Sequence, residues 1–490
     1  MAEEKKVTFN ISKEASFSDW FTEIIKDAEL ADLRYNVKGF VVFMPWAVMA
    51  MEKMYDYYEK ALQKKGHKPF WFPTVIPEKN FKVEKEHVEG FTPEVFWVTE
   101  YGAGEKLEEK LALRPTSETA FYQMFAHWIR SYKDLPFKTY QRAQVFRHET
   151  EATRPFMRSR EFHWIETHNA FATAKDAEKQ VKEDMQTTKE VMWEVFGIPF
   201  IFFKRPAWDT FKGAESTFAA DSLAPSGRFI QQPSTHLLGQ NFAKPFNVKF
   251  IDKKGNEQYC FMTCYGPAIS RIFASLIAVH GDDNGLVFPW EVAPKQIVIV
   301  PVFTRKEEAN KAVLKKAKSL EKKLGKQFDV LLDADMEKSI GEKFYYWEMK
   351  GIPIRLELGP IELAEESVLL FRRDTKQKTK VKVKDLKKKI KETGKDISIK
   401  LKEKAAKLFE GNIVEANSLE ELKKVINQKK IAKINFCSVD WNGEKCSLTI
   451  REETGAAVRG VRVDEIEEPK GNCIICGQKA GNVVYVAKQY

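Results

Sequence analysis

The segment VFRHETEATRPFMRSREFHWIETH, residues 145 to 168, crowds arginines, glutamates and histidines around large aromatic rings. Alternate side chains of a strand share a face. From Arg158 onward one parity collects Arg158, Arg160, Phe162, Trp164, Glu166 and His168. Upstream, VFRHE puts Arg147 and Glu149 together on a second strand, and TEATRPFM reads as the loop of an antiparallel pair. Guanidinium forks suit phosphate and carboxylate oxygens, and a phenyl ring stacks on a base. Any two of these residues would make an ordinary solvated ion pair. Six on one face, aromatics included, point to a nucleotide site. The usual phosphate loops, GxxxxGK[ST] and a GxGxxG after a strand, are both absent.

Several elements must hold that face in place. Residues 45 to 66 read as a helix with Met51, Met54, Tyr55, Tyr58 and Leu62 on one side, stopped by Gly66 and Pro69. FWFPTVIP, 70 to 77, reads as a short strand whose prolines suit an edge or an interface. Strands and helices alternate to about residue 290, then a fresh α/β pattern begins. In it QIVIVPV, FDVLLDA and IPIRLEL are strands, and 305 to 324 is a Lys-rich helix. VAPK at 292 to 295 marks the boundary. We therefore expect three domains, at 1–291, 292–395 and 396–490, and an α/β fold class overall.

Composition narrows the setting. The 490 residues are 43% hydrophobic, ample for several cores, and carry a net charge of +10 from 80 basic and 70 acidic residues. That balance is compatible with a polyanionic partner without requiring one. The sequence has no apolar run of membrane-spanning length, and MAEEKKVTFN lacks the apolar core of a secretory signal. Six cysteines in so long a chain do not form a disulfide framework, so a cytoplasmic location is expected.

With these residues in hand, the sequence resembles a known family. FRHE…MRSREF resembles motif 2 of class II aminoacyl-tRNA synthetases. LRPTSETA at 113 to 120, STHLLGQNF at 234 to 242 and CYGPAISR at 264 to 271 are similar to prolyl-tRNA synthetases of the archaeal and eukaryotic type. The likeness extends through HGDDNGLVFPWEVAP, WEMKGIPIRLELGP and LFRRDT to the last residue. It implies an α+β catalytic domain built on the class II antiparallel sheet, an α/β anticodon-binding domain and a small α/β zinc-binding C-terminal domain.

The resemblance also assigns roles. Arg147 and Arg271 are the implied catalytic arginines, Arg147 holding the α-phosphate and the proline carboxylate. Arg158 reaches the β- and γ-phosphates, and Phe162 and Arg271 sandwich adenine. Glu149 fixes the adenine amino group, with Gln231 and Ser234 near the sugar or phosphates. Thr116 and Glu118 take the imino group of proline, a cation that needs a carboxylate, while Trp164, His168 and His236 wall the ring. One departure stands out: Pro267 and Ala268 occupy the stretch where the family's motif 3 has a second glycine, leaving the local backbone path open.

The implied reaction is proline–tRNA ligation. Attack of the proline carboxylate on ATP needs positioning and charge neutralisation rather than a general base. Magnesium accompanies the ATP, and the prolyl group then passes to tRNA(Pro). Alanine differs from proline by methylenes, each giving roughly 1–3 kcal/mol of discrimination. Bacterial-type relatives carry an editing insertion between motifs 2 and 3, and about 100 residues from Phe162 to Cys264 leave no room for it. Alanine is thus expected to be activated weakly and not edited.

In the second domain Glu348, Arg355 and Arg373 are candidates for reading splayed anticodon bases; ion pairs on a strand are the alternative. KQKTKVKVKDLKKKIK, from 376, reads as a strand with one basic face that is either solvated or set against tRNA backbone. Cys437, Cys446, Cys473 and Cys476 form C-x8-C-x26-C-x2-C. Four thiolates suit a structural tetrahedral zinc, with buried free cysteines as the alternative. The family resemblance favours zinc. It also implies that the Tyr490 carboxylate reaches toward the catalytic domain, and that two chains join through 45 to 77 as a homodimer. Cys260 and Cys264 read as core thiols. Two alternatives keep the same motifs: a sibling enzyme for threonine or serine, and a non-catalytic tRNA-binding regulator.

Overall fold

A computed structural model describes residues 11–83, 95–149 and 152–490. Its central feature is an eleven-stranded sheet. Six neighbouring strands form its antiparallel middle, in the order Ile201–Lys204, Ser216–Leu223, Arg228–Gly239, Phe261–Gly266, Glu161–Phe171 and Phe137–Phe146. The antiparallel sheet expected of the first domain is therefore present.

Helices Pro45–Lys64 and Ile269–His280 pack together against this sheet. The predicted face of the first is buried, Met51, Met54, Tyr55, Tyr58 and Leu62 all lying in the main core with Phe273 and Ile277. Under the sheet lies helix Ala174–Thr188. FWFPTVIP is less regular than expected. Only Val75–Pro77 is a strand there, Lys68–Pro69 pairs briefly, and Pro73 breaks the stretch between them by removing a donor.

The second unit is a five-stranded mixed sheet, in the order Val330–Leu332, Ile297–Pro301, Ile354–Leu358, Ser367–Arg372 and Lys378–Lys382. Helix Glu307–Leu324 covers it through Val313, Ala317 and Leu320. The Lys-rich stretch does form the edge strand, with Val381 turned inward. Its lysines are partly neutralised, Lys378 by Glu357 at 2.8 Å and Lys380 by Glu365 at 2.8 Å.

The boundary expected for the third unit is not a break in the chain. Helix Leu386–Glu410 runs straight across the expected 395/396 boundary. At Gly394 the helix passes close against Trp290, since a Cβ there would stand 2.4 Å from the ring. The C-terminal strands Ile413–Glu415, Ile431–Phe436, Asn482–Gln489 and Ala457–Arg462 do not form a separate sheet. They extend the catalytic one, through Val461 opposite Lys204 and Arg462 opposite Phe203.

Asp221 locks that seam. It accepts from Arg205 at 2.8 and 2.8 Å and from Arg459 at 2.8 and 3.3 Å, with all three side chains buried. Farther along, Lys488 pairs with Arg228, the Tyr490 amide donates to Phe229 O at 3.1 Å, and the Tyr490 hydroxyl meets Ser226 at 2.7 Å. The chain end is thus docked on the catalytic sheet.

Candidate active site

Strand Phe137–Phe146 ends one residue before Arg147, whose amide still donates to Arg160 O at 2.9 Å. That bond carries Arg147 over the sheet face. Its Nε donates to Pro115 O at 3.0 Å, and its guanidinium lies 5.3 Å from the Phe162 ring centre and 5.8 Å from that of Trp164. The paired strand Glu161–Phe171 alternates as predicted: Phe162, Trp164, Glu166 and His168 all line one cavity of about 140 Å³. The parity breaks at Arg160. Its side chain turns aside against Gly39, reaching Lys38 O at 3.3 Å.

Trp164 packs close to Gly266 on the neighbouring strand. A Cβ on Gly266 would come within 3.0 Å of its ring, so glycine there sets the depth of the cavity. The open question about motif 3 is answered two residues later. Ala268 sits at φ −78°, ψ 97°, an ordinary extended conformation, and caps helix Ile269–His280. Pro267 O accepts from Ile165 N at 3.0 Å. Arg271 therefore enters from the first turn of that helix, with Nε on Met157 O at 3.1 Å and its guanidinium 6.0 Å from the Phe162 ring centre. Burial, reinforced by the Arg147 charge, pulls the Arg271 pKa down to about 10.

Strand Arg228–Gly239 supplies the opposite wall. Asp221 pairs with Gln231 and Ala219 with Ser234, so two residues face one and the strand bulges. The bulge flips the parity and lets Gln231, Ser234 and His236 all reach the cavity. His236 is fixed by Thr217 at 2.9 Å and Ser234 at 3.1 Å. Burial pulls its pKa down to about 4, so the ring is neutral at neutral pH.

At the cavity floor Thr116 donates to Glu118, the first residue of helix Glu118–Trp128. A carboxylate is favoured in a first helical turn, and this one is buried. Behind it Glu166 accepts from Ser117 at 2.6 Å, Gln141 at 2.6 Å and His168 Nε2 at 3.0 Å. With Nε2 donating, His168 Nδ1 is left to accept from the Tyr122 hydroxyl at 3.3 Å. The remaining two candidates, Glu149 and Arg158, are not among the cavity-lining residues. They pair with each other at 2.7 Å across the base of the motif 2 loop.

Some lining residues went unforeseen. Phe211, whose ring centre is 4.6 Å from that of His236, comes from a turn with no periodic signal. Cys264, expected to be a core thiol, is buried and lines the cavity as well. Its alternation with the paired His236 would have shown that.

Elsewhere, Arg355 is buried between the rings of Phe344 and Phe371, at 3.7 and 4.1 Å, and bonds Glu348 at 2.9 Å and Glu357 at 3.0 Å. Arg373 is buried too, and turned to another partner. It is 1% exposed and bridges the first two units, bidentate to Asp282 at 2.8 and 2.6 Å and donating to Glu348 O at 2.9 Å.

The sulfurs of Cys437, Cys446, Cys473 and Cys476 lie within 4.8 Å of one another. Sulfurs around a tetrahedral zinc at about 2.3 Å stand roughly 3.8 Å apart, so the set fits that ion with small adjustments. The turn is already shaped for it: Gly477 N donates to Cys473 O at 3.0 Å, with Gly477 at φ +71°.

Comparison with known proteins agrees with this geometry. Residues 96–280 match the tRNA synthetase class II core domain (G, H, P, S and T), 296–393 an anticodon binding domain, and 419–490 the C-terminal domain of prolyl-tRNA synthetases. The chain is 50% identical to the proline–tRNA ligase of Thermofilum pendens, over 98% of both chains. It is 41% identical to that of Methanopyrus kandleri, over 97% of this chain and 96% of the relative. The solved prolyl-tRNA synthetase of Giardia lamblia, in complex with prolyl-adenylate, superposes with a TM-score of 0.94 at 36% identity, covering 99% of this chain and 100% of that one.

Proposed function

The chain belongs to the prolyl-tRNA synthetase family, and from that premise we infer that its cavity activates L-proline with ATP and passes it to tRNA(Pro). The observation that carries this reading is the arrangement of two guanidiniums, Arg147 and Arg271, about one aromatic ring, with the Thr116–Glu118 pair lining the same cavity. The pair offers a buried carboxylate to the imino cation, and Arg147 meets both the proline carboxylate and the α-phosphate. Attack on phosphorus builds negative charge where these guanidiniums already stand, and a preorganised charge costs no reorganisation. Trp164, His168 and His236 wall the proline ring.

Adenine enters between Phe162 and Arg271. Two stacking layers of about 3.5 Å each need roughly 7 Å, so the 6.0 Å slot widens slightly on binding. Arg158 and Glu149 exchange their mutual pair for phosphate and adenine contacts. Magnesium, carried in with ATP, neutralises phosphate charge.

The cysteine set holds a structural zinc that ties helix Glu444–Thr454 to the 473–476 turn. Glu348 reads an anticodon base while Arg355 orients it, and Arg373 acts at one remove by holding the Glu348 backbone. A homodimer through 45 to 77 is supported by Trp71, a large ring left 91% exposed. Six free cysteines, and the lack of any described helix long and apolar enough to cross a membrane, fit the cytoplasm.

Charging of tRNA(Pro) with labelled proline, against threonine and serine, tests this. Proline should be attached in an ATP-dependent manner, and Arg147→Ala should abolish it. Preferential attachment of threonine or serine would overturn the pocket assignment.

A further inference from the structure

The cavity is one face of the catalytic sheet; the opposite face hides a polar contact that the reaction itself does not use. On strand Arg228–Gly239, Ser234 and His236 point into the cavity, and Thr235 between them points away from it. There Asp184, on helix Ala174–Thr188, accepts from Thr235 Oγ1 at 2.8 Å with one oxygen and from Gln180 Nε2 at 2.7 Å with the other. Asp184 and Thr235 are completely buried, and Gln180 nearly so.

We propose that Asp184 is a positioning residue for the amino-acid pocket: acting through Thr235, it fixes the height of the adjacent His236 against bound proline. This rests on the assignment of the cavity to an amino acid made above.

Three observations support it. The same helix grips the neighbouring strand at the same rung, because Thr235 lies opposite Tyr265 and the Tyr265 hydroxyl meets Thr188 Oγ1 at 2.7 Å. Thr188 in turn donates to the Asp184 carbonyl at 3.1 Å, so both grips belong to one turn of helix. The adjacent rung, His236 opposite Cys264, lines the cavity. A shift of the Thr235 rung is therefore passed directly to the residues that touch the ligand. Finally, a carboxyl is an expensive choice for mere packing under a sheet; burial outweighs the hydrogen bonds from Thr235 and Gln180 and raises this one to about 7. Its two oxygens each satisfy a buried donor, whereas an amide would turn an NH2 toward one of them.

The test is ATP–pyrophosphate exchange by the full chain, with KM measured separately for proline and for ATP. The variants are Asp184→Asn, Thr235→Val, which keeps the shape and removes the donor, and Thr235→Ser, which restores it. We expect Asp184→Asn and Thr235→Val to raise the proline KM about ten- to hundredfold, the range that small misplacements cost, and to leave the ATP KM within about twofold. Thr235→Ser should recover the wild-type proline KM. In the double variant Asp184→Asn/Thr235→Val the effect should be no larger than in either single one. An unchanged proline KM in folded Thr235→Val, an equal rise in both KM values, or fully additive effects would overturn the proposal alone. A wild-type chain that exchanges strongly with another amino acid and not with proline would overturn the pocket assignment and this proposal with it.

Discussion

The seam between the catalytic sheet and its C-terminal extension offers a sharp test of what holds the molecule together. Asp221 is 0% exposed, and the side chains of Arg205 and Arg459 are 2% and 3% exposed. Solvent therefore screens this cluster little. Burial works to raise the Asp221 pKa, but Arg205 and Arg459 together outweigh it and hold the carboxyl below its ordinary 3.8. Asp221→Asn keeps the shape and removes the charge. It leaves two buried guanidiniums with only the half-exposed Asp209, at 3.7 and 3.8 Å, as counterion, and turns an amide NH2 toward a donor. Breaking such a buried pair costs about 3–5 kcal/mol.

Trp208 reports the event, since it packs on Phe436 of the C-terminal unit with ring centres 6.4 Å apart. In urea, followed by tryptophan fluorescence, the transition of this unit should move down by about 1–2 M for an m-value near 3 kcal/mol/M. The sign with pH is fixed too. A depressed carboxyl contributes stability that is present above 3.8 and lost as pH falls through its lower folded value. The gap between wild type and Asp221→Asn should close there. A second variant, with Asp221→Leu, Arg205→Met and Arg459→Met together, should regain most of the loss. A midpoint shift below about 0.3 M for Asp221→Asn would refute the reasoning.

Three more outcomes follow from the site. His236, held at about 4 by burial, should remain neutral down to about pH 4 in an NMR titration; a midpoint near 6.5 would show that the ring is solvated. The purified chain should contain one zinc per protomer by elemental analysis. Cys473→Ser or a strong chelator should lower the stability of the 419–490 unit, while a metal-free protein with unchanged unfolding would leave the cysteines as free thiols. Alanine should support weak exchange, and Ala-tRNA(Pro) should persist with the pure protein, since among the described residues no separate domain lies between the strands carrying Phe162 and Cys264; rapid hydrolysis would contradict this.

How much of this was legible in the sequence depends on the range of the contact. The stripe Phe162, Trp164, Glu166 and His168 was readable because strand parity is a local property. The buried face of helix Pro45–Lys64 was readable for the same reason, with its 3.6-residue period. Parity failed at Arg160 because a partner far away in sequence, Gly39, drew the side chain aside. It failed differently at Gln231 and Ser234, where a bulge brings two positions of opposite parity to one face.

Arg373 looked like a base reader because an arginine after a strand carries no mark of its partner, and Asp282 lies 91 residues earlier. The merged sheet was invisible for a related reason: strand pairing across domains depends on edges that only the folded units present. The helix crossing residue 395 is not announced locally, because Gly394 disfavours a helix interior and the reason for a glycine there, the close Trp290 ring, lies about 100 residues away. Asp184 drew no reading from the sequence, where nothing separates it from the other charges of its helix, though it is the acid at the centre of that helix's buried face.

The most direct measurement of the central claim is amino-acid-dependent ATP–pyrophosphate exchange with purified chain, comparing proline, alanine, threonine and serine. Strong exchange with proline, weak exchange with alanine, none with threonine or serine, and loss in Arg147→Ala is the predicted result. Exchange driven by threonine or serine would keep the fold and overturn the pocket. No exchange with any of the four, by folded and zinc-replete protein, would contradict an activating enzyme and leave a tRNA-binding regulator.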